Sequence, residues 1–331
     1  MGSMIDDLKE PSAYPDETSG VTLVQTHISN VFVCDEFVYK LKKPVNFGFL
    51  DFSTLELRKK YCTKEVELNG RFSKDVYLGV LPVTYDGTRH TIGGDGEVVE
   101  YAVKMRRLSD SDLMKTRFAE GTITDMDIKK IAGSIAEFHK GTARSDDIDR
   151  FGEIASVRFN VDECFEQTER YIGDSITRDQ FDALRKWTDR FYIEKKDLFE
   201  SRIAQGKIRD CHGDLHMEHV CLTDPVILID CIEFNNRFRY SDTASDIAFL
   251  LMDIEYNGGF HQAKLLYDEY IKQMNEDDIS ELVTFYKVYR AYVRGKVNSF
   301  LLSDPGVPDD KKDRARETAQ RYFKLSKSYI E

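Results

Sequence analysis

The chain has 331 residues, 41% of them hydrophobic and 12% aromatic, enough for about two domains with sizeable cores. Its 47 lysines and arginines against 59 aspartates and glutamates leave a net charge of −12, which excludes general adhesion to nucleic acid or anionic membrane but not a local basic rim. No apolar run approaches the ~20 residues of a membrane span, no secretory leader pattern is read, and six scattered cysteines without a CxxC pair fit reduced thiols of a cytoplasmic protein.

Residues 1–20, with the "MGS" before Met4 read as an expression scar, carry Pro11, Pro15 and Gly20 and are expected to be a loosely ordered lead-in. The β-branched and aromatic runs of 21–43 predict antiparallel strands turning at Cys34–Glu36. Residues 51–72 predict an amphipathic helix opened by a capping box of Ser53 and Glu56. Tyr61, Glu65, Leu68 and Phe72 share one stripe of it, so Glu65 is a carboxylate among apolar neighbours and calls for a cation. "DVYLGVLPVTYDG" and "GEVVEYAVKMRRL" read as further strands joined by a glycine-rich turn at 93–96; the second alternates Val99, Tyr101, Val103 and Met105. Beyond Arg107 the periodicity turns helical, over 127–139, 175–204 and 242–331, with short apolar runs at 220–222 and 226–229 between. The expected fold class is α+β: a β-rich unit over 21–105 with one long helix, then a mostly helical unit over 106–331.

The stretch "CHGDLHMEHV" (211–220) concentrates three histidines, an aspartate and a glutamate. His212, His216 and His219 are spaced i, i+4, i+7, as a helical zinc set would be. Gly213-Asp214 is a turn pair that resists such a helix, and no HExxH pattern occurs. Polar loop residues without chemistry are a second reading, and the catalytic loop of a phosphotransferase is a third. Phosphoryl transfer of the kinase type needs a lysine on the phosphates, a carboxylate holding it, a base near the acceptor, and metal ligands. The chain has each in workable order. Lys40 ends the strand-like "FVYK", with Lys42 at the same parity as its competitor. Glu65 follows on the helix, Asp214 suits the base, and Asp230 ends the apolar run "ILID" where it would meet magnesium. The Val99–Met105 strand would then be the connection whose backbone meets adenine.

At these residues the sequence resembles the aminoglycoside phosphotransferase/choline kinase-like family, whose catalytic loop reads HGDxHxxN. "HGDLH", "FVYKLKKPVNFGFLDFSTLE" and "ILIDCIEFNNRFRYSDTASDIAFLLMD" carry the resemblance, which extends over roughly 21–300 and is strongest to a bacterial and archaeal branch sometimes fused to an ATPase domain. It implies a bilobal protein-kinase-like fold with ATP and Mg²⁺ in the cleft. It makes Asp214 the catalytic base, Asp230 a magnesium ligand, Lys40 the phosphate lysine and Glu65 its partner. His212 would orient the loop and His216 would line the site. The hairpin of Thr26 to Ser29, including His27 and Ser29, would cover the phosphates, and Met105 would lie at the nucleotide. Asp242 would stand near the cap of a buried helix, with Asp246 bracing the catalytic backbone.

His219 departs from the pattern, standing where the family carries a metal-binding asparagine. Imidazole suits Mn²⁺ or Zn²⁺ better than Mg²⁺. Three outcomes follow: a single-metal mechanism resting on Asp230, an altered metal preference, or weak activity approaching a pseudokinase that binds ATP as a regulator. Glu233 and Arg237, in and after "IEF", with Arg290 and Arg294 on a later helix, are the candidate acceptor contacts. They favour an anionic or sugar-like small molecule, with an RNA hydroxyl as the alternative. Neither DNA nor a membrane is expected as a partner.

Overall fold

The computed structural model describes residues 3–331; Met1 and Gly2, and with them the start of the expected expression scar, lie outside the described residues. Two compact units emerge. The first runs to Glu120 and takes in His219–Asn236; the second comprises Gly121–Glu218 and Arg237–Glu331.

In the first unit, β1 (Thr22–Gln25), β2 (Ser29–Val33), β3 (Phe37–Lys42), β4 (Tyr77–Tyr85), β5 (His90–Ile92) and β6 (Glu97–Arg106) form one antiparallel sheet. Its order is β1-β2-β3-β6-β4-β5. The strands expected over 21–43 are β1 to β3, with Cys34 N donating to Phe37 O across the second turn. β5 is an extra short strand between the two expected further on, and the glycine-rich turn joins β5 to β6. β6 is central, with Met105 opposite Val38 on one side and Tyr77 on the other. Its backbone is therefore committed to the sheet through Arg106.

The lead-in is not loose. Leu8 (0% exposed) and Ala13 (4%) pack into the core with Phe32, Tyr39 and Leu41, and Asp16 pairs with Lys104 at 2.6 Å. Its apolar residues find a sheet face to cover, and that outweighs the local turn signals.

Helix α1 (Leu55–Asn69) is capped by Thr54, whose Oγ1 accepts from Leu57 N at 3.2 Å. Ser53, the expected cap, donates through N and Oγ to Asp51 instead, at 2.9 and 2.6 Å. The buried stripe is likewise shifted, to Arg58, Cys62, Glu65, Leu68 and Asn69, while Tyr61 and Phe72 are half-buried. Three of those five are polar, so burial holds only because each is paired. Arg58 meets Glu100 at 2.7 Å and Asn69 accepts from Cys231 N at 3.0 Å.

The short hairpin Val220–Cys221 and Ile227–Leu228 joins the first unit through main-chain bonds. Leu222 N donates to Asp112 O at 2.7 Å, and Asp230 N donates to Tyr77 Oη at 2.9 Å. The compact unit that holds the sheet thus extends to Glu120 and includes the later segment His219–Asn236, whose hairpin is a sheet of its own.

The second unit is built from α2 (Asp125–Gly141), α3 (Ile154–Thr168), α4 (Arg178–Glu194), α5 (Lys196–Ala204), α6 (Thr243–Tyr256), α7 (Phe260–Met274), α8 (Ser280–Phe300) and α9 (Asp309–Ser328). Every residue of α6 from Thr243 to Ile254 is buried. Its N-cap Asp242 accepts from Ala244 N at 2.8 Å and takes a bidentate pair from Arg202 at 2.8 and 2.7 Å. Arg202 also reaches Glu276 at 2.5 Å, and all three side chains are at most 2% exposed. Arg202→Met leaves the buried carboxylate of Asp242 without a cation and Glu276 with Lys207 alone, at 2.9 Å, so we expect a loss of about 3–5 kcal/mol from this unit, measured by urea denaturation; an unchanged midpoint would contradict it.

Candidate active site

Five charged side chains of the first unit are joined by four ion pairs into a chain, Asp230–Lys40–Glu65–Lys42–Glu233, which the backbone between Asp230 and Glu233 closes into a ring. Lys40 and Lys42 alternate on β3 with one residue between, which puts both on one face. Glu65 of α1 divides its carboxylate between them, Oε1 at 2.9 Å from Lys40 and Oε2 at 2.6 Å from Lys42. Lys40 also meets Asp230 Oδ1 at 2.6 Å, and Lys42 donates to Glu233. Asp230 and Glu233 belong to the same segment, so strand, helix and segment are tied twice.

Burial grades this ring. Side-chain exposure is 1% for Lys42, 0% for Glu65 and 5% for Glu233, against 13% for Lys40 and 41% for Asp230. Burial opposes the charge on Lys40, yet Asp230 and Glu65 hold its pKa well above the ordinary lysine value. Burial likewise opposes ionisation of Glu65, but the two lysines keep its pKa below the usual carboxylate value. For Glu233 burial prevails over Lys42 and pushes the pKa up. The competition between Lys40 and Lys42 thus resolves into two positions, an outer and an inner one. Lys42 was visible in the sequence through its parity; its burial was not.

Asp230 adopts the left-handed region with φ +62°, unusual for a residue other than glycine. This bend ends the hairpin and turns its two oxygens to different neighbours. Oδ1 faces Lys40, while Oδ2 lies 3.7 Å from His219 Nε2. Ile229 N donates to His219 O at 3.0 Å, which keeps the two residues adjacent across the hairpin. Two donors at that separation can both reach one divalent ion at about 2.0–2.3 Å, so the carboxylate–imidazole pair fits a metal. The remaining residues expected near the nucleotide lie on the same sheet. His27 is exposed in the β1–β2 turn, Ser29 starts β2 with its Oγ buried and unpartnered, and Met105 packs beside Cys62, Tyr77 and Val103.

The second unit contains Asp214 and its loop. Gly213, at φ +87°, takes the conformation that glycine alone adopts easily, immediately before Asp214. Asp246, fully buried on α6, accepts from His212 N at 2.6 Å and Gly213 N at 2.8 Å. Burial opposes its charge, but the hydrogen bond and charge of His139 hold its pKa below the usual value. His139, at 3.3 Å from Asp246, contacts Tyr270 Oη at 2.8 Å. His212 Nδ1 accepts from Asp214 N at 3.3 Å, and His216 Nε2 stands 3.6 Å from Asp214 Oδ2. Asp253 accepts from Met217 N at 3.0 Å. It lies two turns after Asp246 on α6, a spacing that could have identified it in the sequence. The loop is therefore clamped at both ends by α6.

The basic acceptor candidates are placed differently from one another. Arg290 is buried, donating to Gly213 O at 3.0 Å and to Ser245 Oγ, so it braces the loop from α8. Arg237 pairs with Glu163 at 2.7 Å and Asn160 at 3.1 Å. Arg294 is half-buried with its Nε unpartnered. Burial opposes its charge, while Tyr322 and Asp214 nearby raise its pKa. Glu233, the fourth candidate, is the buried partner of Lys42.

The chain has the protein-kinase-like fold, with an antiparallel sheet and one long helix in the first unit and a helical second unit. It is similar in structure to aminoglycoside 2'-phosphotransferase-IIIa in its GDP complex (TM-score 0.52, 15% identity, 94% of each chain covered). It is also similar to the choline kinase LicA from Streptococcus pneumoniae (0.51, 15%, 93% of this chain and 94% of that one). A third is the amicoumacin kinase hAmiN in complex with AMP-PNP, Ca²⁺ and Ami (0.50, 12%, 94% and 89%). In sequence the chain is 31% identical over 293 residues to uncharacterised proteins of Mycobacterium tuberculosis and Mycobacterium bovis, covering 88% of this chain. The chain spans 57% of the length of those relatives. No family model matches it. Among the described residues no helix is long and apolar enough to cross a membrane.

Proposed function

We propose that the protein is an ATP-dependent phosphotransferase that moves the γ-phosphate to a hydroxyl of a small molecule. The observation that carries this reading is Lys40 held between Glu65 and Asp230 at 2.9 and 2.6 Å, on a strand of a kinase-type sheet. A lysine so placed carries its charge on the outer side of the site and can turn it to phosphate oxygens. Lys40 binds the phosphates, and Glu65 sets its direction. Asp230 and His219 hold a divalent cation, which when bound neutralises charge on the phosphates. Asp214 accepts the proton of the attacking hydroxyl, the γ-phosphorus–oxygen bond to ADP breaks, and ADP leaves with the bond's electrons. His212 and Asp246 fix the backbone from which Asp214 acts. The nucleotide complexes of structurally similar proteins support ATP as donor and a divalent cation as cofactor.

Of the acceptor contacts expected from the sequence, Arg294 is the one retained, half-buried beside Asp214. It favours an acceptor with an anionic or sugar-like character. The test is an ATP-consumption screen over sugars, nucleosides, amino alcohols and tRNA, run with Mg²⁺ and with Mn²⁺. Asp214→Ala is expected to lower turnover on any acceptor by about 10²–10⁴-fold while leaving ATP binding intact. Nucleotide binding without turnover on the whole panel would replace this reading by that of an ATP-binding regulator.

A further inference from the structure

The ring of Lys40, Lys42, Glu65, Asp230 and Glu233 contains more than the phosphotransferase reading uses. One lysine and one helix carboxylate would suffice to hold a phosphate-binding ammonium. Here a second lysine, 1% exposed, bridges the helix and the segment that bears Asp230. When Lys40 turns to a phosphate, a lone Glu65 would be a buried carboxylate without a cation, which is strongly unfavourable. Lys42 Nζ at 2.6 Å from Glu65 Oε2 removes that difficulty, because it stays when Lys40 moves. At its other end Lys42 holds Glu233, three residues past Asp230. Cys231 N donates to Asn69 Oδ1 at 3.0 Å, a further tie between that segment and α1.

We propose that Lys42 and Glu233 are positioning residues: with Glu65 they form the fixed inner half of the ring, and they aim the Asp230 segment at its metal while Lys40 and Asp230 exchange partners. The gradient of exposure, from the sealed inner trio to Asp230 at 41%, is what such a division of labour requires. Neither residue touches substrate. Their effect reaches the nucleotide through the orientation of Asp230, as that of outer partners on metal ligands does.

This inference rests on the phosphotransferase reading, and its test separates the two. ATP binding is measured calorimetrically on the full chain with Mg²⁺ and again in EDTA. The wild type is compared with Glu233→Gln and with Lys42→Met/Glu233→Gln, which removes both charges of the pair and avoids leaving Glu233 buried without its cation. Both variants are expected to fold, to lose about tenfold of their affinity with Mg²⁺, and to keep their EDTA affinity within about twofold. Lys42→Arg, which preserves the charge, is expected to retain most of the Mg²⁺-dependent affinity. Folded variants with unchanged affinities would overturn the proposal, as would equal losses under both conditions, which mark general destabilisation. A wild type that binds no nucleotide in either condition removes the phosphotransferase reading, and the inference with it.

Discussion

Lys40→Met is expected to reduce ATP-dependent turnover by about 10²–10³-fold, the scale of losing one preorganised charge from a developing transition state. The chain should nevertheless remain folded. Lys40 is the outer member of the ring, and its removal leaves Glu65 with Lys42 at 2.6 Å. Asp230, 41% exposed, keeps its access to water. Neither carboxylate becomes a sealed, unpaired charge, so the thermal midpoint should move by no more than a few degrees. Lys42→Met has the opposite profile: Glu65 keeps Lys40 at 2.9 Å, but the sealed Glu233 loses its cation, which should destabilise the first unit far more. Turnover kinetics alongside thermal melts of the two variants provide the check. If Lys40→Met kept more than half of wild-type turnover, Lys40 would not be the phosphate lysine.

The contrast between those lysines shows where sequence reasoning reached and where it stopped. Alternation along β3 put Lys40 and Lys42 on one face, and the helical stripe of α1 placed Glu65 where a cation was needed. What decides between the lysines is depth within the packed unit, and depth depends on which segments cover the face. The covering piece, His219–Asn236, lies some 180 residues away in the chain, and nothing local announces that it packs against the sheet. The same holds for Glu233, expected at the acceptor and found as the partner of Lys42. Short-range signals were overruled where a better partner stood next door, as when Asp51 took Ser53 and left the cap of α1 to Thr54. Around α6 the family resemblance supplied Asp242 and Asp246, whereas Asp253 went unread, although a helix buried on all sides can hold a carboxylate only where donors meet it. The lead-in misled for the converse reason. Prolines and a glycine describe its path, whereas Leu8 and Ala13 decide that it docks.

Asp230 and His219 provide the remaining prediction, which concerns the metal. Asp230→Asn is expected to abolish binding of the divalent ion, since an amide offers no charge to replace the carboxylate. His219→Asn should act on which ion is bound. An imidazole nitrogen raises affinity for Mn²⁺, Co²⁺ and Zn²⁺ relative to Mg²⁺, which favours oxygen ligands at close to octahedral geometry. The wild type is therefore expected to bind Mn²⁺ with nucleotide at least tenfold more tightly than Mg²⁺, and His219→Asn to narrow that ratio severalfold by weakening Mn²⁺. Mn²⁺ binding can be followed by its paramagnetic resonance signal, without reference to turnover, and Mg²⁺ by competition against it. The imidazole sits 3.7 Å from Asp230 Oδ2, and its neighbour Ile229 is bonded to its main chain, so an asparagine at 219 should leave the hairpin in place. An identical ion ratio in wild type and His219→Asn would show that Asp230 holds the metal without its neighbour. The chain would then operate with the simpler single-carboxylate site, and the histidine would be packing only.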